Sequence, residues 1–241
     1  MHLSVIIPVF NEERRISKTL LDIDRYLSKQ KYGYEILVVD DGSKDRTCFV
    51  VEKFQSLIKN LKLIRNQKNH GKGYVVRQGM LESEGDFRIF SDADNSTSIE
   101  QIEKFWSLFE KGEGVIIGSR DVKGAVIVNP QPFFRRVILG NGFNLLVQII
   151  CGLWGIWDTQ CGFKGFSREA VEKIFPKCKI DRWAFDPEIL ALAKKMGYKI
   201  NEVPVTWIND PESKVKLKGM VKMFFELLKI RQNLMTGKYQ I

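Results

Sequence analysis

The first half of the chain alternates between short apolar runs and longer segments in which apolar residues recur every three or four positions. The runs are typical of strands buried in a parallel sheet, and the recurrence is typical of helices with one buried face. The predicted strands are Leu3–Val9, Tyr34–Asp40, Leu61–Arg65, Phe87–Ser91 and Val115–Gly118, and the predicted helices are Glu12–Lys29, Asp45–Ile58, Gly73–Glu82 and Ser98–Lys111, the last opened by a capping box. This alternation predicts an α/β fold with a Rossmann-like, mostly parallel sheet flanked by helices.

The second half does not continue this alternation. A segment without charged residues runs from Val137 to Trp157 and is interrupted by asparagine, glutamine and glycine residues. Its length approaches that of a membrane span, but the polar interruptions favour a segment that lies at the membrane interface. Strand-like Gly162–Ser167, a helix near Pro187–Met196 and a strand at Lys199–Val205 follow.

The last predicted helix, Val215 to Leu234, is amphipathic and basic. Such a helix is typical of an anionic membrane surface, and the alternative is a helix that packs on the sheet with a solvated charged face. We therefore expect a domain over residues 1–212, which includes an interface segment at 133–157, and a C-terminal amphipathic helix at 213–241. Strand-like sequence follows Met1 directly, so we expect neither a secretory signal nor an N-terminal anchor.

The charge of the chain is concentrated in this second half. Lysine plus arginine number 38 and aspartate plus glutamate 29, a net charge of +9. Residues 1–120 carry 19 basic and 18 acidic side chains, and residues 121–241 carry 19 and 11, so the two halves have net charges of +1 and +8. The second half thus favours an anionic partner such as a phosphorylated lipid or a membrane surface.

The four cysteines form no C-x-x-C pair, and the chain has only two histidines, which argues against a zinc site. We expect buried or incidental free thiols in a reducing compartment.

Polar clusters follow three of the predicted strands. They are Pro8–Glu12, Asp40–Ser43 and Asp92–Asp94. Ligands of doubly wound sheets bind at the carboxyl ends of the strands, so these clusters are the candidate binding site. The chain has neither a G-x-G-x-x-G turn nor a P-loop, which argues against a dinucleotide cradle or a P-loop nucleotide site.

Asp92 and Asp94 form the most specific of these clusters. In extended backbone, side chains two positions apart point in the same direction, so both carboxylates can face one ion. Oxygen ligands suit Mg²⁺ or Mn²⁺. The alternative is a solvated turn with helix-capping value.

The other clusters have equally plain alternatives. Asp40 and Asp41 form a turn or accept hydrogen bonds from a base and a ribose. Glu12 stabilises a helix N-terminus or contacts a ligand. Asn69–Gly73, which contains Lys72, is a plain loop or a cationic approach to an anion at a helix N-terminus.

These motifs together resemble the inverting family 2 glycosyltransferases of GT-A fold. The shared motifs are Pro8-Val-Phe-Asn-Glu-Glu13, Val38-Val-Asp-Asp-Gly-Ser-Lys-Asp45, Gly71-Lys-Gly73 and Asp92-Ala-Asp94. Later motifs resemble the dolichyl-phosphate glucosyltransferase branch of that family. They are Asp158-Thr-Gln-Cys-Gly-Phe-Lys164, Arg182-Trp-Ala-Phe-Asp186, Glu202-Val-Pro-Val-Thr-Trp207, Ser213-Lys214 and Ile230-Arg231 with Met235-Thr-Gly237.

The resemblance implies roles for individual residues. The nucleotide sugar would be bound by Pro8, Phe10, Glu12, Val39, Asp41, Lys72, Asp92, Ala93, Asp94, Arg120 and Lys214, with Asp92 and Asp94 as ligands of Mg²⁺ or Mn²⁺. The acceptor phosphate would be bound by Arg120, Arg135, Arg136 and Lys164. The catalytic residues would be Asp94, Arg120, Lys214 and Asp186. A hydroxyl acceptor would need a general base, for which Asp186 or Glu188 is the candidate, whereas a lipid phosphate is already an anion at neutral pH.

We expect transfer of a hexose, glucose from UDP-glucose, to dolichyl or polyprenyl phosphate at the cytoplasmic face of a membrane. Ile208 stands where the mannosyl branch has an arginine, which favours the glucosyl branch. The alternatives are a GlcNAc or mannose donor, or a hydroxyl acceptor on a glycan or lipid. A scaffold without catalysis is disfavoured by the complete Asp92–Asp94 motif, and a nucleic-acid partner by the absence of a basic motif with interleaved aromatic residues.

Overall fold

The computed structural model describes residues 2–129, 142–209 and 217–241. Its main feature is a seven-stranded sheet with the strand order β3-β2-β1-β4-β7-β5-β8, and β6 pairs with β9 in a separate two-stranded ribbon. The strands are β1 Leu3–Val9, β2 Tyr34–Asp40, β3 Leu61–Arg65, β4 Phe87–Ser91, β5 Val115–Ser119, β6 Val126–Val128, β7 Phe163–Ser167, β8 Ile200–Pro204 and β9 Thr206–Ile208.

Helices cover both faces of the sheet, and each face has its own apolar core. The helices are α1 Ile16–Leu27, α2 Thr47–Gln55, α3 Lys72–Glu82, α4 Glu103–Phe109, α5 Gly142–Cys151, α6 Arg168–Ile174, α7 Phe185–Lys195 and α8 Leu217–Met235. Buried residues of α1, α2 and α4 form one core, and those of α3 and α5 to α8 form the other. The predicted α/β class with helices on both faces is confirmed.

One strand departs from the simple parallel pattern. β7 lies between β4 and β5 and is antiparallel to both, whereas the pairs β1–β2, β1–β4, β2–β3 and β5–β8 are parallel. Ser91 at the end of β4 therefore pairs with Phe163 at the start of β7. This reversal brings the segment that precedes β7 to the edge where β1, β2 and β4 end.

The predicted element boundaries need small corrections at polar helix starts. The first helix begins at Ile16 and not at Glu12, because the main-chain N–H groups of Arg15 and Ile16 close a turn on the Glu12 carbonyl. The second begins at Thr47, since the Asp45 side chain accepts the Thr47 N–H and caps the turn before it. β6, β9, α5 and α6 were not predicted as separate elements, because each is short or lies in the irregular second half.

The C-terminal helix packs onto the rest of the fold. Met223, Leu227 and Ile230 of α8 are buried, and α8 contacts α5 and α7. The predicted boundary at 212/213 lies outside the described residues. The outward sides of α5 and α8 expose large apolar side chains, namely Leu145, Leu146, Ile149, Val221, Phe224, Phe225 and Leu228.

Among the described residues, no helix combines the length and the apolar character needed to cross a bilayer. The four cysteines are free and buried, as predicted.

Candidate active site

The candidate site lies where β1, β2 and β4 end side by side and the segment before β7 joins them. The main-chain N–H of Asp92 donates to the Gly162 carbonyl at 3.2 Å, which ties the end of β4 to that segment. The clusters predicted at the three strand ends therefore lie along one edge of the sheet, together with residues 158–164.

The loops after β1 and β2 are held together by reciprocal hydrogen bonds. Asn11 adopts a left-handed backbone (φ 55°), its N–H donates to Ser43 Oγ at 2.8 Å, and its Oδ1 accepts the Lys44 N–H at 2.8 Å. The Glu12 N–H donates to Thr47 Oγ1 at 2.7 Å. These three hydrogen bonds hold the two loops together as one wall of the site, beside which the partly exposed Phe10 lies.

The side chains predicted to bind the nucleoside have different degrees of access. Pro8 and Val39 are adjacent partners of β1 and β2, and the Val39 side chain is fully buried, so only its main chain faces the strand end. The Glu12 carboxylate accepts two hydrogen bonds from the Arg15 guanidinium, at 2.8 and 2.9 Å. Glu12 therefore organises the entry to α1 as well as bordering the site.

The Asp41 carboxylate is buried and holds the loop that leads into α3. It accepts the main-chain N–H groups of His70 at 2.6 Å and Gly71 at 2.9 Å, and the Asn69 side-chain amide at 2.7 Å. Burial raises the pKa of Asp41, although these donors oppose the shift. Asp41 thus fixes the position of the Asn69–Gly73 loop and, through it, of Lys72.

Gly71 has a positive φ of 118°, and a Cβ there would lie 2.3 Å from the Asp181 carbonyl. This close approach packs the segment around Trp183 against the start of α3.

The carboxylates of Asp92 and Asp94 are the centre of the site. The Lys72 ammonium lies 2.5 Å from Asp92 Oδ1, and the two side chains are 22% and 32% exposed. Within the described part of the chain, that oxygen accepts no hydrogen bond of regular geometry. Asp94 Oδ1 accepts the Ser96 N–H at 2.9 Å.

Burial, followed by the negative charge of Asp92, raises the pKa of Asp94. Burial opposes ionisation of Lys72, but the charges of Asp92 and Asp186 outweigh it and raise its pKa.

These features fit a divalent cation. The negative charge of Asp92 makes ionisation of Asp94 costly, and a dication between the two carboxylates would remove this repulsion. Carboxylate oxygens are also the ligands that Mg²⁺ and Mn²⁺ prefer. Groups of three or more such ligands are absent from the described residues. A cation held by Asp92 and Asp94 would therefore complete its shell with waters and substrate phosphate oxygens, as Mg²⁺ usually does.

Gly162 leaves room for the Asp92 carboxylate. A Cβ at position 162 would lie 2.0 Å from Asp92 Oδ2. Any side chain here would displace the carboxylate, so the glycine in the segment before β7 sets the position of a predicted metal ligand.

Beneath this centre lies a buried ion pair between Lys164 and Asp186. The Lys164 ammonium donates to Asp186 Oδ1 and to the Cys161 carbonyl, both at 2.6 Å, and its side chain is fully buried. Burial raises the pKa of Asp186, although the ammonium groups of Lys164 and Lys72 oppose it. Lys164 was predicted to contact the acceptor phosphate. In the structure its ammonium is turned to Asp186, because β7 runs through the middle of the sheet and points this side chain into the interior.

Arg120 follows β5 and is fixed on two sides. Its Nε and Nη2 donate to the two carboxylate oxygens of Asp158 at 2.7 and 2.8 Å, and its main-chain N–H donates to the same carboxylate at 2.9 Å. Its guanidinium carbon lies 5.2 Å from the centre of the Trp207 ring.

Asp158 is fully buried and the Arg120 side chain is 26% exposed. Burial would raise the pKa of Asp158, but the guanidinium lowers it below its ordinary value. The arginine is therefore held in one orientation with part of its surface accessible.

The remaining predicted residues are Arg135, Arg136 and Lys214, and they lie outside the described residues. Ala93 is buried, and its carbonyl accepts the Thr19 hydroxyl at 2.6 Å, which anchors the Asp92–Asp94 turn to α1.

The contacts of several other residues emerge only in three dimensions. The Glu188 carboxylate accepts the N–H groups of Lys179 and Ile180, each at 2.9 Å, and the Tyr239 hydroxyl at 2.7 Å. Asp158, Gly162, Glu202 and Trp207 stand in the motifs quoted above, but no pattern of spacing indicated that they pack around Asp92 and Arg120.

Comparison with known proteins agrees with this architecture. The family model for Glycosyl transferase family 2 matches residues 4–175. The dolichyl-phosphate beta-glucosyltransferase of Saccharomyces cerevisiae is 38% identical over 261 residues, an alignment that covers 99% of this chain and 76% of that protein. The dolichyl-phosphate beta-glucosyltransferase of Dictyostelium discoideum is 36% identical over 254 residues, with coverages of 100% and 77%.

A solved structure shares the fold at low sequence identity. Glucosyl-3-phosphoglycerate synthase from Mycobacterium tuberculosis, crystallised with Mn²⁺, UDP-glucose and phosphoglyceric acid, superposes with a TM-score of 0.70 at 16% identity, covering 100% of this chain and 80% of that one. The family match over more than half of the chain and the close curated relatives lead to one conclusion. The chain belongs to glycosyl transferase family 2 and is a glycosyltransferase.

Proposed function

We propose that this enzyme transfers glucose from UDP-glucose to dolichyl or polyprenyl phosphate and inverts the configuration at the anomeric carbon. The choice of acceptor rests on one observation: both candidate bases, Asp186 and Glu188, are already engaged by internal partners. Asp186 is paired with the buried Lys164 ammonium, and all the hydrogen bonds of Glu188 described above are internal. Proton uptake by Asp186 would leave a buried ammonium without its counter-charge, which is strongly unfavourable.

A phosphate acceptor does not need such a base. A phosphate monoester has its second pKa near 6, so it is largely dianionic at neutral pH and supplies its own nucleophilic oxygen. Arg120 is suited to bind it, because a guanidinium already fixed by Asp158 and Trp207 loses little conformational freedom when it receives an anion. For a sugar hydroxyl bound at the same place, neither Asp186 nor Glu188, the two candidate bases among the described residues, would be available to accept the proton.

The donor would be bound at the other end of the site. Phe10 and the wall formed by the loops after β1 and β2 would border the nucleoside, and Lys72 would approach the diphosphate. Asp92 and Asp94 would hold Mg²⁺ or Mn²⁺, which when bound supplies electrostatic stabilisation of the leaving diphosphate. The names of the curated relatives support a glucosyl donor, and the complexes of the structural neighbour support UDP.

In this reaction an acceptor phosphate oxygen attacks the anomeric carbon from the face opposite the diphosphate. The new carbon–oxygen bond forms as the bond to UDP breaks, so a single displacement inverts the configuration. Arg120 would orient the attacking oxygen, and Lys72 would oppose the charge that develops on the leaving group. Fixed charges in a site shielded from water are most effective when they are aimed at such developing charge.

The exposed apolar residues of α5 and α8 support attachment to a membrane surface. The exposed lysines Lys222 and Lys229 and Arg231 lie on α8 near these residues. Apolar side chains flanked by basic ones suit an anionic bilayer, where each basic residue near the surface contributes about 1 kcal/mol. We propose that the enzyme is attached in this way to the cytoplasmic face of a membrane.

The test is a transfer assay with matched acceptors. The protein is incubated with Mn²⁺ or Mg²⁺, a panel of radiolabelled nucleotide sugars, and either dolichyl phosphate or dolichol, and the lipids are extracted. We expect label in the lipid only with UDP-glucose and dolichyl phosphate. Equal transfer to dolichol would contradict the phosphate acceptor, and transfer from another nucleotide sugar alone would contradict the donor.

Flotation with anionic liposomes tests membrane attachment, and a protein that stays in the soluble fraction at low salt would contradict it.

A further inference from the structure

The three residues Trp157, Asp158 and Thr159, called here the 157–159 segment, are held from two sides before the chain enters β7. On one side is Glu202 of β8. Its two carboxylate oxygens accept the main-chain N–H groups of Trp157 at 2.9 Å and Asp158 at 3.0 Å. One carboxylate thus binds two successive peptide groups, which fixes the backbone of the segment.

On the other side is Asn144, near the start of α5. Its Nδ2 donates to the Trp157 carbonyl at 2.9 Å, and its Oδ1 accepts the Thr159 hydroxyl at 3.0 Å. Asp158 and Thr159 are fully buried between these contacts. Four hydrogen bonds from two distant elements therefore leave the 157–159 segment with little freedom to move.

The segment determines where Arg120 points. The Asp158 carboxylate binds Arg120 through a fork of two hydrogen bonds, a geometry that requires the carboxylate and the guanidinium to be nearly coplanar. A rotation of the Asp158 backbone would break that fork. The orientation of Arg120 therefore depends on Glu202 and Asn144, whose described hydrogen bonds go to the 157–159 segment and not to Arg120.

We propose that Glu202 and Asn144 are positioning residues that hold Arg120 in the orientation that receives the acceptor phosphate. The proposal rests on the function proposed above, in which Arg120 binds that phosphate. It also gives α5 a second role. Asn144 lies on α5, the helix that exposes Leu145, Leu146 and Ile149. The position of this helix therefore affects the orientation of Arg120.

The central variant is Glu202→Gln. A glutamine has one carbonyl oxygen and one amide, so it can accept only one of the two N–H groups and presents a donor to the other. We expect kcat/KM for a short, water-soluble isoprenyl phosphate to fall roughly 10- to 100-fold, because a misplacement of a positioned group by about 1 Å can cost about 100-fold. The dissociation constant of UDP, measured by calorimetry with Mn²⁺, should stay within about twofold, since the donor end of the site is untouched.

The matched control is Glu113→Gln. Glu113 also accepts a hydrogen bond from β8, from Asn201 Nδ2 at 2.9 Å, but its described hydrogen bonds go to Lys199 and Asn201 and not to the 157–159 segment. We expect wild-type kinetics for this variant. Asn144→Ala should show the defect of Glu202→Gln in milder form, because it removes two hydrogen bonds between neutral groups.

Two further measurements separate positioning from a general loss of structure. In an Arg120→Lys background, Glu202→Gln should cause no further loss, because a lysine cannot form the fork that the segment maintains. By NMR, the Arg120 Nε–H signal should be protected from solvent exchange in the wild type and in Glu113→Gln, and should exchange faster in Glu202→Gln.

Each failure has a separate meaning. A Glu202→Gln effect that persists in the Arg120→Lys background, or an unchanged Arg120 signal, would overturn the positioning role. A lowered denaturation midpoint with unchanged acceptor kinetics would overturn it as well. If the wild type transfers no sugar to isoprenyl phosphate but the Arg120 signal responds as expected, the proposed acceptor is wrong and the positioning of Arg120 stands.

Discussion

Two lysine–carboxylate pairs lie in the candidate site, and they differ in access to solvent. Lys164 and Asp186 form a pair whose side chains are 0% and 7% exposed, and the ammonium also donates to the Cys161 carbonyl. Lys72 and Asp92 form a pair whose side chains are 22% and 32% exposed, beside a second carboxylate, Asp94. A buried pair with satisfied partners cannot be exchanged for a ligand without a large cost, whereas a partly exposed pair can.

The difference separates the charges that stabilise the fold from the charges that are available to ligands. Lys164 comes from β7, in the middle of the sheet, and its charge is neutralised before any substrate arrives. Lys72 opens α3 at the edge of the sheet, where the predicted metal and diphosphate would meet it. The same pair of residue types is thus structural in one place and available in the other.

The largest expected effect is on the buried pair. Lys164→Met should lower the free energy of unfolding by roughly 3–5 kcal/mol, because it leaves the Asp186 carboxylate buried without its partner. Urea denaturation measures this. The double variant Lys164→Met/Asp186→Asn should recover much of the loss, and Lys173→Met, which removes one partner of an exposed pair with Glu169, should change stability by less than about 0.5 kcal/mol. Equal effects for the buried and the exposed pair would contradict the distinction.

The next effect is on catalysis at the exposed centre. Asp94→Asn should reduce kcat for sugar transfer by about 10²–10³-fold, the usual result of removing a group that stabilises developing charge. Its metal-free form should be at least as stable as the wild type, because burial and Asp92 disfavour the charged form of Asp94. Asp86→Asn, a change at an exposed carboxylate paired with Arg168, is the matched control and should retain full activity. A stable fold with full transfer in Asp94→Asn would refute the catalytic role.

A smaller effect is expected on metal affinity. Lys72→Met removes the cation that lies beside Asp92, so in the absence of nucleotide the variant should bind Mn²⁺ roughly 3- to 10-fold more tightly than the wild type, as expected for a competing pair of modest strength. Electron paramagnetic resonance of free Mn²⁺ measures this directly. Binding of UDP should weaken in the same variant, since Lys72 would approach the diphosphate. Unchanged Mn²⁺ affinity would show that Lys72 does not compete with the cation for Asp92, and it would contradict the description of this pair as exchangeable.

The sequence predicted the position of the partly exposed carboxylates better than the environment of the buried Lys164. Asp92 and Asp94 follow a regular apolar strand, so their position at the sheet edge could be inferred from the alternation of elements alone. Lys164 stands in a strand whose direction the pattern could not reveal, because an antiparallel strand inserted between β4 and β5 depends on tertiary pairing. The buried ion pair of Lys164 with Asp186 could therefore not be inferred from the pattern.

Arg120 shows the same limit. Its place after β5 was predictable, but Asp158 and Glu202 lie 38 and 82 residues further along the chain, and only the folded sheet brings them to it.

The smallest effect is a pH dependence that distinguishes the crowded carboxylates from ordinary ones. The folded pKa of Asp94 is raised above that of the unfolded chain, so between the two values the native state binds more protons. The contribution of Asp94 to the free energy of unfolding of the metal-free protein should therefore increase as the pH falls from 7 toward 4, with a slope of at most about 1.4 kcal/mol per pH unit.

Other carboxylates contribute to the total, so the measurement is the difference between the wild type and Asp94→Asn in urea titrations at several pH values with EDTA. That difference should shrink as the pH falls, because protonation makes Asp94 resemble the uncharged asparagine. Parallel curves would mean that the ionisation of Asp94 does not depend on folding, and the crowding that favours a divalent cation at this edge of the sheet would then be absent.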